Sequence, residues 1–229
     1  MEAHGETMSR AESTIVGLVI GIICPLSLSV LWWWVAAALT IYGVFSIPES
    51  GIATAAFTGL GLGIALDILG LKNWIARFYS LDVKLTVLAY LFWSVMAVAF
   101  FMGLPFGNIT LGALAGLYVG RKQYHAGASR DLFARSARHV SLFTALVTGA
   151  EALPIGVLAL DEQIIVAALR AIVGPDQFVT TSLMGVGLVG VGCLALMVVQ
   201  FWCTKTAAAL AFRLGKRDRH PSSFAATDK

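Results

Sequence analysis

Charge is what this sequence has least of. Asp, Glu, Lys and Arg make up 13% of its 229 residues, against about 25% in a soluble domain. That scarcity excludes a disordered tail, a fibrous protein and an ordinary soluble enzyme. Histidine is equally sparse. His4, His125, His139 and His220 lie in tails or at the edges of apolar runs. None is placed for haem ligation or for a buried Ser–His pair. The three cysteines, Cys24, Cys193 and Cys203, form no C-x-x-C pair. Zinc and redox chemistry have nothing to rest on, and the cysteines read as small buried hydrophobes. Neither H-E-x-x-H nor G-x-x-x-x-G-K-[ST] is present. The expectation is a non-enzyme with no metal and no cofactor. A net charge of +3 asks for no nucleic acid.

What is there is apolar. Hydrophobic residues make up 58% of the chain, and mean hydropathy is +0.82. Those values point to a polytopic membrane protein. A helix needs roughly 20 apolar residues to cross about 30 Å of hydrocarbon. Stretches without Asp, Glu, Lys or Arg cover 13–48, 85–120 and 177–204. Two more, 50–71 and 139–160, are each broken once, by Asp67 and by Glu151. The run 85–120 contains Gly103-Leu104-Pro105-Phe106-Gly107-Asn108, whose turn residues divide it in two. The run 13–48 holds only Cys24-Pro25, which kinks a membrane helix without ending it. The expected fold is an all-α membrane bundle of six spans, about 14–38, 50–71, 85–103, 105–122, 139–160 and 178–203. Splitting the first run would make seven. Residues 1–13 form an N-terminal tail, 14–204 one transmembrane domain and 205–229 a basic C-terminal tail.

The basic residues test this count. With six spans and the N-terminus inside, 15 of the 16 Lys and Arg fall on the cytoplasmic side, and only Arg170 falls outside. Such a bias is the signature of orientation. It predicts a multi-pass plasma (inner) membrane protein with both termini cytoplasmic. The basic collars favour anionic lipid headgroups. The first apolar run is too long for a cleaved leader, so the first helix is expected to be retained. Residues 72–81, with Trp74, Ile75 and Phe78 on one face, predict a short helix in the inner interface, or a docking surface for a cytoplasmic partner. Ser129-Arg130-Asp131 predicts a helix start. Residues 161–170 predict a short amphipathic segment, ended by Gly174-Pro175-Asp176. Trp32, Trp33 and Trp34 read as outer anchors, and Trp74 and Trp202 as inner ones.

Two acids lie within spans, and intramembrane acids are functional candidates by default. Glu151 is close to mid-membrane. Ser141, Thr144 and Thr148 precede it at helical spacing and make a polar stripe. Pro154 frees the carbonyl of Ala150. No Lys or Arg lies deep in a span to balance Glu151, which favours a protonated resting carboxyl. Asp67 sits nearer the inner surface, where Lys72 or Arg77 could pair with it. Small residues recur every fourth position at Gly51, Ala55, Gly59 and Gly63, and again at Gly112, Gly116 and Gly120. Such stripes let helices approach closely, within the chain or between copies.

The function these features support is a small integral membrane transporter, or the membrane subunit of one. Glu151, Thr148 and Thr144 would bind a proton, a cation or a small polar solute, with Asp67 acting nearer the inner exit. The competing reading is a non-catalytic integral subunit or assembly factor of a larger complex. Its glycine faces would dock other membrane subunits or a homo-oligomer. A lipid-acting enzyme is weaker, since no nucleophile–base pair is present. In every case the bilayer itself is a partner.

Overall fold

The computed structural model describes residues 8–100, 106–158 and 182–218. Six long helices account for almost all of them: α1 (Arg10–Ile41), α2 (Glu49–Arg77), α3 (Val83–Phe100), α4 (Phe106–His125), α5 (Arg130–Leu158) and α6 (Ser182–Asp218). A single 3-10 turn, Phe78–Ser80, follows α2. No strand occurs among the described residues. The chain divides into two compact units, Met1–Leu81 and Asp82–Lys229. The first is a helical hairpin and the second a four-helix bundle.

The hairpin begins at Ser9, whose hydroxyl accepts from the Glu12 amide at 3.2 Å and caps α1. Pro25 lies inside α1 without ending it. The run 13–48 therefore holds one helix of 32 residues, about 48 Å long, and the seven-span alternative fails. Gly43 stops it. Its φ of 68° lets Val44 N–H reach Leu39 O at 2.9 Å and Gly43 N–H reach Thr40 O at 3.1 Å. That double closure needs a left-handed residue, which glycine supplies without steric cost.

Close approach of α2 to α1 also depends on glycine. A Cβ at Gly59 would strike the Leu28 carbonyl, and one at Gly63 would strike Pro25 Cα. Just beyond the Gly59–Leu28 contact, Ser29 Oγ donates to Ala56 O at 3.0 Å. The atoms nearest a Cβ at Gly51 belong to Ile47 and Pro48, just before its own helix, and Ala55 is half-buried. The separate interfacial helix expected over 72–81 does not form. Instead α2 continues unbroken through Arg77, because Lys72–Arg77 contain no Gly or Pro to stop it. Beyond it, Tyr79 Oη donates to Glu12 Oε1 at 2.6 Å and ties the two helix ends together.

In the bundle, Gly107 and Asn108 belong to the first turns of α4 rather than to a turn before it. Residues 101–105 lie outside the described residues, as do Arg170, the segment 161–170 and Gly174–Asp176. Helix α4 ends as α1 does. Gly127 has φ 64°, Ala128 N–H reaches Gln123 O and Gly127 N–H reaches Tyr124 O, both at 3.0 Å. Ser129 then caps α5 by accepting from Leu132 N–H at 3.3 Å. Helix α6 has 37 residues, about 55 Å, and runs through 205–218 beyond the last apolar run. Gly112 abuts Gln200 and Thr204, Gly116 the Thr204 carbonyl, and Gly120 the Ala208 carbonyl. Helix α4 thus lies on α6 along its glycine face. Gly149 and Gly156 of α5 meet Met197 and Val189 of α6.

The molecule is apolar outside and polar within. Ile68 is 78% exposed, Leu69 81% and Val191 66%, whereas the largest fully buried side chains are Gln200, Asn108, Thr144, Thr148, Thr204, Ser94 and Ser141. Water would penalise such a surface, and lipid favours it. Five helices, α1, α2, α3, α5 and α6, are long and apolar enough to cross a membrane. The 20 residues of α4 give it the length. It is more polar, carrying Asn108, Arg121 and Lys122. The chain is a helical membrane protein.

Candidate functional site: a polar centre in the four-helix bundle

The centre draws one or more side chains from each helix of the second unit. Glu151 comes from α5, two turns beyond Thr144, and is half-buried. Its Oε2 accepts from Ser94 Oγ of α3 at 2.9 Å and from Asn108 Nδ2 of α4. Among the described residues no basic side chain bonds to it. From α6, Gln200 Nε2 donates to the backbone carbonyl of Asn108 at 2.9 Å. The same nitrogen lies 3.5 Å from Tyr90 Oη of α3. Tyr90 is within electrostatic reach of Glu151, and its ring packs on Phe143 at 5.4 Å between centroids. Ser94, Asn108 and Gln200 have no exposed surface. Gly112 makes room for this arrangement, since any Cβ there would overlap the Gln200 amide.

A second polar layer adjoins the first. Thr144 Oγ1 and Thr204 Oγ1 are 2.9 Å apart. Thr148 Oγ1 donates to Thr144 O at 3.0 Å, and Ser141 Oγ donates to Ala137 O at 2.7 Å. The hydroxyls of the stripe below Glu151 therefore bond along their own helix or across to α6. Hydroxyls on helices commonly back-bond in this way. The structure brings Glu151 together with Ser94 and Asn108 instead.

The centre has more acceptors than donors. Asn108 Oδ1 and Gln200 Oε1 are buried with no hydrogen-bond partner. An unmet buried acceptor costs about 1–3 kcal/mol, and burial of polar groups in hydrocarbon is no cheaper. Two such oxygens beside a carboxyl form a region of negative potential. Hard oxygens of this kind suit a proton or an alkali cation. Among the described residues, no group of three His, Cys, Asp or Glu side chains is placed to hold a metal ion.

Asp67 belongs to the hairpin. It is 7% exposed, and neither carboxyl oxygen has a hydrogen-bond partner. The pairing with Lys72 or Arg77 does not form. Five residues along a helix turn about 140° around it, so Lys72 points away from the side where Asp67 meets α1. Its polar neighbour is Cys24, whose thiol also lies 3.9 Å from Gly63 O. All three cysteines are free thiols.

Sequence reasoning passed over Ser94, Gln200, Thr204 and Tyr90, and read Asn108 as part of a turn. A search for neutral amides inside apolar runs would have found Asn108 and Gln200. No family model, curated protein or solved structure matches the chain.

Proposed function

We propose that this protein is a small integral membrane transporter, or the membrane subunit of one, that moves a proton, a cation or a small polar solute through the α3–α6 bundle. The observation that carries this reading is Glu151, a carboxyl in the apolar part of α5 held by Ser94 and Asn108. An acid in that position costs about 2.5–3.5 kcal/mol at a span centre. A purely structural role gives no return on that cost, because neutral Gln would hold the same donors. A carboxyl that gains and loses charge does what Gln cannot. The bias of 15 basic residues in 16 supports cytoplasmic termini in a plasma membrane.

The test is reconstitution of the purified chain into liposomes under imposed pH and cation gradients. The reading expects flux that Glu151→Gln abolishes. Absence of flux, together with stoichiometric co-purifying membrane proteins, would transfer support to the subunit or assembly-factor reading.

A further inference from the structure

We infer that the polar centre is a binding site for a hard monovalent cation of the sodium class, with Glu151, Asn108 and Gln200 supplying oxygen ligands. This rests on the transporter reading above and names its ligand. The argument starts from how the two amides are oriented. Gln200 Nε2 faces the backbone carbonyl of Asn108, which can only accept. The amide therefore cannot turn over, and Oε1 is left as the unmet atom. Asn108 Nδ2 faces Glu151 Oε2, so its Oδ1 is left unmet in the same way. Each unmet oxygen shares a carbon with a nitrogen already bonded into the centre, so neither is remote from it.

Four occupants are to be weighed against such oxygens. One proton on Glu151 would let the Asn108 amide turn over and accept from it, but Gln200 Oε1 would stay unmet. A divalent ion prefers more than one carboxylate, and Glu151 is the one acid among these residues. Soft metals need sulfur or imidazole, and Glu151, Asn108, Gln200, Ser94 and Tyr90 supply neither. A monovalent hard cation answers several oxygens at once, and its single charge cancels the single carboxylate. Ser94 Oγ and Tyr90 Oη add neutral oxygens nearby. Glu151 is half-buried while Asn108 and Gln200 are fully buried, so the carboxylate is the point of entry and the amides form the floor.

The experiment is equilibrium binding of radioactive sodium to the purified full chain in detergent, with lithium, potassium and protons as competitors. Saturable sodium binding is expected, competed by protons. Glu151→Gln should abolish it. Gln200→Met, which keeps the volume and removes the oxygen together with the Nε2 donor to Asn108, should weaken it at least about tenfold, the effect of losing roughly 1.4 kcal/mol of ligation. Gly187→Ala, which faces open space, should leave it unchanged. Should Gln200→Met fail to fold, Gln200→Lys decides: its ammonium keeps a donor for the Asn108 carbonyl while it removes the oxygen and supplies the positive charge itself, so sodium binding should be lost. Absence of saturable sodium binding at any pH overturns the inference, as does binding indifferent to both Gln200 variants. Proton-driven flux without sodium binding sinks the cation site and leaves the transporter standing. Sodium binding without flux under any gradient does the reverse.

Discussion

The side-chain amide of Gln200 on α6 donates to the main-chain carbonyl of Asn108 on α4 across 2.9 Å, in space that exists only because residue 112 is glycine. Bundle packing and the polar centre are therefore one feature. Gly112→Val should displace Gln200 and destabilise the bundle by about 1–3 kcal/mol, the usual cost of overpacking. Gly190→Val on α6, where nothing lies within 4 Å of an added Cβ, should have little effect. Thermal unfolding in detergent checks the contrast.

The Thr144–Thr204 bond joins α5 to α6 at 2.9 Å, and both residues are fully buried. Interhelical bonds of this kind contribute about 0.6 kcal/mol in membranes, at most about 1.7. Thr204→Val should cost about that much, and Thr144→Val should add little once Thr204 is gone. A double-mutant cycle in denaturant measures the coupling.

In the hairpin, Gly63 presses on Pro25 whereas Gly61 faces open space. Gly63→Val should force α1 and α2 apart, and Gly61→Val should not. A cysteine pair across the α1–α2 contact, scored for oxidative cross-linking, separates the two outcomes.

The proposed topology, six spans with cytoplasmic termini, predicts that the α1–α2 connection and the α4–α5 connection face opposite sides of the membrane. Single cysteines at Phe45 and Ala126, both exposed, should react with an impermeant thiol reagent in a background lacking Cys24, Cys193 and Cys203. Phe45→Cys should be labelled from outside the intact cell, and Ala126→Cys only after lysis.

Much of the fold was legible because its causes are local. Apolar runs set the helices, and Ser129 marked the start of α5. The stretch Lys72–Arg77 misled because its amphipathic pattern suggested a new element, whereas helix continuation needs only the absence of a breaker. Glu151 stood out because charge inside an apolar run is conspicuous. Its bonded partners Ser94 and Asn108 did not, nor did Gln200, which bonds Asn108 in turn. Ser94, Asn108 and Gln200 sit 57, 43 and 49 residues away from it in sequence, on three other helices. Only tertiary packing decides that they meet. Asp67 shows the same limit in reverse, since its helix rotation turned it from the basic residues toward α1.

The most direct measurement is flux through liposomes holding wild-type chain or Glu151→Gln at equal density, under opposed pH and sodium gradients. A carboxyl centre that carries charge predicts flux in the wild type and a loss of about a hundredfold or more in Glu151→Gln, on the order of 2.7 kcal/mol, with an unchanged melting temperature. Equal flux in the two proteins would contradict it.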